Sequence, residues 1–188
     1  MLCDITHREA LQRACRDYLD ERSGTYEFRC LRFKSVADKL FAMGLKDEMT
    51  VIDAGAGVCE FDYYLRTERN WRGMYIPVDG VIDGTNLELW VPRFGPDFIT
   101  AIEIIEHLRD PHRFLSVLER YARRGAVITT PNPKTTDVLG MDHTHVSECP
   151  EEMFRYRGWI PEITSHFGKP NDSILATYSL EGNRHSTT

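Results

Sequence analysis

The stretch from Thr50 to Phe61 limits the folds open to this chain more than any other part of its sequence. A short apolar run ends there in Asp53, a turn with two glycines follows, and an amphipathic segment begins at Glu60. A buried parallel strand, a tight turn and the N-terminus of a helix have this layout, and the backbone of such a turn can approach a ligand closely. The stretch therefore predicts a ligand site at the end of a strand.

Composition limits the class of protein. Of the 188 residues, 41% are hydrophobic and 28% are charged, which is typical of one globular domain. The five cysteines are odd in number and form no CxxC pair, so we expect neither a disulfide framework nor a cysteine zinc site. A net charge of −6 argues against a broadly basic surface for duplex nucleic acid. No apolar run could span a bilayer and the first residues lack a signal-peptide pattern, so we expect no membrane contact and a cytoplasmic location.

Two helical patterns precede the glycine-rich stretch. A capping box at Thr6–Glu9 predicts a helix that ends at about Glu21. A second pattern runs from Tyr26 to Met43, and its residues around Lys34 allow a break. The arginines from Arg8 to Arg32 alternate with acids, so we expect them on a solvated face.

From Met49 onward the sequence alternates between strand and helix patterns. Strands are predicted at 51–54, 74–78, 98–105, 126–130, 160–167 and 174–180, helices at 60–69, at 111–123 and from Pro150, and a loop at 134–149. Too little sequence remains between Asp79 and Phe98 for a full crossover, so a third strand is expected to be short, around residues 81–83, or absent. The pattern predicts a doubly wound, Rossmann-like α/β sheet, mostly parallel, with an antiparallel strand at its C-terminal edge. We divide this single domain into an N-terminal helical cap (1–48), a core (49–182) and a polar tail (183–188).

Asp79 stands at the end of the next predicted strand along the chain. Because neighbouring parallel strands end at the same edge of a sheet, its carboxylate is expected beside the glycine turn, where it can accept hydrogen bonds from both ribose hydroxyls of a nucleoside. The third glycine of a dinucleotide-binding GxGxxG motif would fall at Glu60, and a carboxylate there is poorly placed against a pyrophosphate. A phosphate-free ligand, such as a cationic sulfonium nucleoside, fits the pattern better.

The glycine-rich stretch, Asp79 and two later motifs together resemble the class I S-adenosylmethionine-dependent methyltransferases. The later motifs are Ile102-Glu-Ile-Ile-Glu-His-Leu-Arg-Asp-Pro111 and Val127-Ile-Thr-Thr-Pro-Asn132, and the resemblance covers about residues 49–154. It implies S-adenosylmethionine as the cofactor. The residues that it implies at the cofactor are Asp53, Ala54 and Gly55 at the methionine moiety, Gly57 in the turn, Asp79 at the ribose, Gly80 and Val81 at the adenine, Asn86 and Leu87 at the adenine edge, and Glu103 on the sulfonium side.

The motif Glu103-x-x-Glu106-His107 leaves two alternatives open. In small-RNA 3′-terminal 2′-O-methyltransferases, a similar motif and a later histidine bind a divalent metal, which here implies Glu103, Glu106, His107 and His145 as ligands of Mn²⁺, Fe²⁺ or Zn²⁺. Metal-free methyltransferases carry the same Glu-His-Leu sequence, and we favour this alternative. Glu106 and His107 would then order the substrate loop, or His107 would act as a general base, with His145 and His143 as the next candidates.

The resemblance implies transfer of a methyl group from S-adenosylmethionine to an oxygen or nitrogen nucleophile. Glu106, His107 and His145 are the residues that we expect to carry catalysis. The compact domain and its acidic charge favour a small-molecule acceptor over RNA. Two other hypotheses stay open, namely a metal-dependent RNA 2′-O-methyltransferase and a non-catalytic module that binds S-adenosylmethionine or a nucleoside.

Overall fold

The computed structural model describes residues 26–180, with side chains from Arg29 onward except that of Val81. The helix predicted to end at Glu21 and the polar tail lie outside the described residues. The described helices are α1 (Tyr26–Ala42), α2 (Glu60–Thr67), α3 (Gly80–Asp83), α4 (Pro111–Tyr121), α5 (Val138–Met141) and α6 (Glu151–Tyr156), with a 3-10 turn at Ile105–His107. The strands are β1 (Thr50–Ala54), β2 (Met74–Val78), β3 (Phe98–Ile102), β4 (Gly125–Pro131), β5 (Ile160–Thr164) and β6 (Ser173–Ser179).

The strands form one six-stranded sheet in the order β2-β1-β3-β4-β6-β5. Strands β1 to β4 are parallel to one another, whereas β6 is antiparallel to both of its neighbours. The predicted, mostly parallel α/β sheet is therefore confirmed, and β5 and β6 form the predicted hairpin at one edge, with β5 outermost. Because parallel strands present their carboxyl ends on one side, the loops that follow β1, β3 and β4 lie next to one another.

Buried side chains cover both faces of the sheet, because successive residues of a strand point to opposite sides. Val51 and Phe98 pack in one cluster with side chains of α1 and α2. Ile52 and Ile99 pack in a second cluster with side chains of α4 and α6. Burying each large apolar side chain of this kind stabilises the fold by about 1.5–3 kcal/mol. This alternation produces the doubly wound arrangement.

Several predictions differ from the structure, chiefly the break allowed in α1 and the ends of β3 at Ile102 and of β5 at Thr164, each three residues earlier than predicted. Helix α1 continues through Lys34 without the break that the sequence allowed, because Val36 and Leu40 on its next two turns are fully buried against the sheet. Strand β3 ends at Ile102, earlier than predicted, because Glu103 takes a φ of 57°, which an extended strand cannot include.

The segments that connect the strands also carry unexpected turns. After β2 the chain forms α3, and the described residues between Asp79 and β3 contain no strand, so the second of the two predicted outcomes is the correct one. The predicted loop 134–149 contains α5, which Asp137 caps by accepting a hydrogen bond from the N–H of Gly140 at 3.0 Å. None of the described helices combines the length and the apolar character that crossing a bilayer requires.

Candidate functional site

A cavity of about 860 Å³ opens where β1, β3 and β4 end. One side of α1 forms part of its wall. The rest of the wall comes from the glycine turn after β1, from Asp79, from residues 102–107 after β3, from residues 141–145 and from Phe167. Loops that follow parallel strands thus converge on one space, as expected for a ligand site in this class of sheet.

Two glycines shape the turn after β1. Gly55 and Gly57 have φ values of 84° and 51°, in the left-handed region that favours glycine. A Cβ on Gly55 would lie 2.1 Å from the side chain of Ile104, so any larger residue would require Ile104 to move. A Cβ on Gly57 would meet no atom within 4 Å, so bare backbone borders the cavity at this point. A flat or bulky ligand group can therefore approach the main chain at Gly57.

Asp79 is fixed beside this turn. Its Oδ2 accepts a hydrogen bond from the backbone N–H of Gly57 at 2.9 Å, and both residues line the cavity. The position that the sequence predicted for Asp79 is therefore confirmed. A carboxylate has about four acceptor positions, so it can hold a backbone N–H and ligand hydroxyls together.

Asp53 is a buried acid at the end of β1. It is 3% exposed, and it accepts hydrogen bonds from the hydroxyl of Tyr75 and from Thr100 Oγ1, the latter at 2.7 Å. Burial raises its pKa to about 6, although the two hydroxyl donors oppose this shift. Asp53 therefore borders the cavity as a carboxyl group held rigidly by two neighbouring strands.

Two further acids, Glu103 and Glu106, are buried after β3. Glu103 Oε2 lies 3.6 Å from Arg32 Nη1, and burial raises the pKa of Glu103 despite this neighbouring charge. Glu106 is fully buried, and Thr130 Oγ1 donates to its Oε2 at 3.1 Å. Its Oε1 has no hydrogen-bond partner among the described residues. Burial, and then the charge of Glu103, hold the pKa of Glu106 well above its ordinary value. A buried carboxyl oxygen without a partner is costly, and it marks a place where a ligand, a proton or a cation can bind.

The hydrogen bonds of His145 and His107 determine which ring nitrogen of each carries the proton. His145 Nδ1 lies 2.7 Å from the carbonyl oxygen of Val138, which can only accept, so Nδ1 carries the proton. His107 Nδ1 lies 3.0 Å from Thr144 Oγ1, whose own proton is donated to Asp142. The Thr144 hydroxyl therefore accepts from His107 Nδ1. In the neutral form of each ring, Nε2 is the nitrogen with an open lone pair.

The three predicted catalytic residues lie together. One carboxylate oxygen of Glu106 and one ring nitrogen each of His107 and His145 lie within 4.8 Å of one another. His143, the third candidate base, has a side chain that is 95% exposed and does not belong to this cluster. Two imidazoles and a carboxylate at this separation could bind a divalent metal or share a proton with a substrate.

Comparison with known proteins identifies the fold. No protein-family model and no curated protein matches the chain, whereas solved structures do. One similar solved structure is a complex between the Haloferax volcanii Trm112 methyltransferase activator and a candidate methyltransferase. The match to one protein of that complex has a TM-score of 0.54 and 14% sequence identity, and it covers 83% of this chain and 96% of that protein. A second similar structure is the plantazolicin methyltransferase BpumL, solved with SAH and a monoazolic desmethylPZN analog. This match has a TM-score of 0.57 and 10% sequence identity, and it covers 92% of this chain and 94% of BpumL. The chain has the class I methyltransferase fold.

Within this methyltransferase fold, the cavity gathers only part of the predicted cofactor set. Asp53, Gly55, Gly57, Asp79 and Glu103 line it. Ala54, Gly80, Asn86 and Leu87 do not line it. Ala54 and Leu87 pack in the hydrophobic core, and Asn86 Oδ1 accepts a hydrogen bond from the N–H of Glu88 at 2.9 Å. The side chain of Val81 is outside the described part of the chain.

The cavity also contains charged residues that the sequence placed elsewhere. Arg29 and Arg32, expected on a solvated face, line the cavity instead, with side chains that are 8% and 13% exposed. Arg29 Nε lies 3.0 Å from Glu60 Oε2. The prediction was wrong for these two residues because their acidic partners follow β1 and β3, far along the chain. Their spacing of three positions, which puts them on one helix face, was the available signal.

Proposed function

We propose that this chain is an S-adenosylmethionine-dependent methyltransferase that methylates an oxygen or nitrogen nucleophile of a small molecule. One observation carries the proposal. The Asp79–Gly57 contact, suited to a nucleoside, and the Glu106–His107–His145 cluster, suited to proton transfer, border the same cavity. The methyltransferase fold supports it, because the cavity lies where that fold's parallel strands end.

The residues of the cavity fit this cofactor. When bound, S-adenosylmethionine supplies a methyl group activated on a positively charged sulfur. Asp79 would accept hydrogen bonds from the ribose hydroxyls, and the open backbone at Gly57 would let the nucleoside approach. Asp53 and Glu103, both bordering the cavity, are acids suited to the cationic methionine end. The roles of Ala54, Gly80, Val81, Asn86 and Leu87 near the cofactor stay part of this proposal.

The histidines would remove the proton of the acceptor. Burial, and then the neighbouring His145, lower the pKa of His107, so its ring is neutral near pH 7. Nε2 of His107 or His145 could then take a proton from a hydroxyl or amine as that group is methylated. Positioning the acceptor beside the cofactor in a partly closed cavity would supply much of the remaining rate enhancement.

The size of the cavity and the charge of the chain favour a small acceptor. A volume of about 860 Å³ lies within the range of about 300–1,000 Å³ found for small-molecule sites, and the cofactor must occupy part of this volume. A long RNA would also need many cationic phosphate contacts, whereas the net charge of the chain is −6.

A second candidate is a metal-dependent RNA 2′-O-methyltransferase, and the convergence of Glu106, His107 and His145 favours it. The orphaned Glu106 Oε1 and the two open Nε2 atoms are a donor set that suits Mn²⁺, Fe²⁺ or Zn²⁺. Glu103, the fourth predicted ligand, lies outside this cluster, beside Arg32. A bound metal would supply Lewis-acid activation of an acceptor oxygen. Glu106→Gln should then abolish zinc or manganese binding in equilibrium dialysis, whereas Glu148→Gln, at an exposed acid on the same loop, should not.

Calorimetry tests the main proposal. We expect S-adenosylhomocysteine to bind the full chain, and ADP to bind at least about tenfold more weakly because Glu60 at the end of the turn disfavours a pyrophosphate. Absence of any heat with S-adenosylhomocysteine and with S-adenosylmethionine would refute the proposal. Tighter binding of ADP would point to a phosphate-bearing nucleotide instead.

A further inference from the structure

Arg32 is a cavity-lining arginine with an incomplete set of partners. Its side chain is 13% exposed, and its nearest carboxylate oxygen, Glu103 Oε2, lies 3.6 Å from Nη1, beyond hydrogen-bond distance. Its Nε has no hydrogen-bond partner among the described residues. A guanidinium group presents several N–H donors in one plane, and leaving them unused while they are shielded from water is unfavourable.

Phe167 holds this guanidinium in place. The Cζ of Arg32 lies 4.9 Å from the centre of the Phe167 ring, and both residues line the cavity. Stacking on a ring leaves the edge of the guanidinium, which carries its donors, available for a planar anion. Arg29, one turn earlier on α1, differs because its Nε lies 3.0 Å from Glu60.

Arg32 lies beside the segment after β3 that also carries Glu106 and His107, the residues proposed to face the acceptor. Its charge lowers the pKa values of Glu103, Glu106 and His166, which belong to the segments after β3 and β5. His166, next to Phe167, is buried and its pKa is lowered to about 4, so it is neutral and does not compete as a cation.

We propose that Arg32, stacked on Phe167, binds a carboxylate or phosphate group of the methyl acceptor. The acceptor would therefore be a small anion whose nucleophilic atom faces the Glu106–His107–His145 cluster. A carboxylate or phosphate can accept two parallel hydrogen bonds from the guanidinium edge, which Glu103 at 3.6 Å does not do.

This inference rests on the proposed function, because it assigns a part of the acceptor of that reaction. The same carboxylate chemistry could come from the methionine end of the cofactor, so the two sources have to be distinguished. Benzoate and inorganic phosphate serve as probes of the anion site, and S-adenosylhomocysteine serves as a probe of the cofactor carboxylate.

The experiment is calorimetric titration of the full chain with each probe, with and without saturating S-adenosylhomocysteine. Arg32→Met removes the charge, and Arg32→Lys keeps the charge but loses the planar fork. Lys34→Met is the matched control, because it removes a cation whose side chain is 62% exposed from the same helix. Thermal unfolding establishes that each variant is folded, and Arg32→Lys carries the comparison if Arg32→Met does not fold.

We expect one of the two probes to bind the unaltered chain. Its Kd should rise at least about tenfold in Arg32→Met and about threefold in Arg32→Lys, with Lys34→Met unchanged and the Kd of S-adenosylhomocysteine within about twofold. Equal binding by Arg32→Met, no binding of either probe, or a larger loss for S-adenosylhomocysteine than for the probe would overturn the inference. If S-adenosylhomocysteine fails to bind the unaltered chain, the proposed function fails, while the titrations without it still decide the role of Arg32.

Discussion

The rings of His107 and His145 meet edge to face with their centroids 4.6 Å apart. Their proximity follows from the sheet, because β3 and β4 are parallel neighbours and each histidine lies in the segment after one of them. The backbone N–H groups of Val146 and Ser147 both donate to the carbonyl oxygen of Glu106, at 2.9 and 3.0 Å, and so fasten one segment to the other. The pair is therefore a fixed feature of the fold.

This arrangement predicts the protonation behaviour of His107. Burial, and then His145, lower its pKa below the ordinary 6.5, so the ring stays neutral at pH 7 and charges only as the pH falls further. Nuclear magnetic resonance titration of the ring protons should give a midpoint below about 6.5. His145→Gln should raise this midpoint, because the electrostatic influence of His145 lowers the pKa of His107. His112→Gln, at an exposed histidine, should leave it unchanged, and a midpoint at or above the ordinary value would contradict the prediction.

Asp79 should contribute most to binding of the nucleoside. In Asp79→Asn the amide oxygen can still accept from Gly57, but the amide NH₂ cannot accept a ribose hydroxyl. We expect the Kd of S-adenosylhomocysteine to rise about 10- to 100-fold, which corresponds to losing a hydrogen bond to a charged group. Glu68→Gln, at an exposed carboxylate after α2, is the control for charge removal. A Kd for Asp79→Asn within about twofold of the unaltered chain would show that Asp79 does not bind the ribose.

The sequence predicted those parts of the site that depend on local pattern. An apolar run, two glycines and Asp79 at the end of the next strand sufficed, because the order of parallel strands fixes which strand ends are neighbours. The convergence of His107 and His145 was suggested only by resemblance to metal-binding methyltransferases. No local pattern gives the distance between two loops.

Other features could not be predicted because they depend on the tertiary packing of α1. The spacing of Arg29 and Arg32 puts them on one face of α1, but it does not show whether that face is solvated or buried. Arg29 and Arg32 are buried because Glu60, at the start of α2, and Glu103, in the segment after β3, lie beside α1. Similarly, the absence of a strand after Asp79 was one of two outcomes that the short spacing allowed.

The ion pair between Arg29 and Glu60 should be important for stability. Their side chains are 8% and 11% exposed, so removing one partner leaves the other charge shielded from water. Arg29→Met and Glu60→Gln should each lower the free energy of unfolding by about 3–5 kcal/mol, and the double variant by clearly less than the sum. Urea unfolding of the four proteins measures this coupling. The exposed pair Lys34–Asp38 on the same helix is the matched control, with a much smaller expected coupling, and similar couplings for the two pairs would contradict the prediction.

His166 should make stability depend on pH. It is 2% exposed, its Nε2 lies 3.2 Å from Ser35 Oγ, and burial and then Arg32 lower its pKa from 6.5 to about 4. Between these two values the unfolded chain binds the proton and the folded chain does not, so the free energy of unfolding falls as the pH falls through this range. The contribution lost amounts to at most about 3 kcal/mol. In urea unfolding at pH 7 and pH 4.5, His166→Gln should therefore lose about 2 kcal/mol less than the unaltered chain. The carboxylates titrate alike in both proteins, and His112→Gln controls for loss of an exposed histidine. An equal loss in His166→Gln and in the unaltered chain would mean that His166 does not resist protonation in the fold.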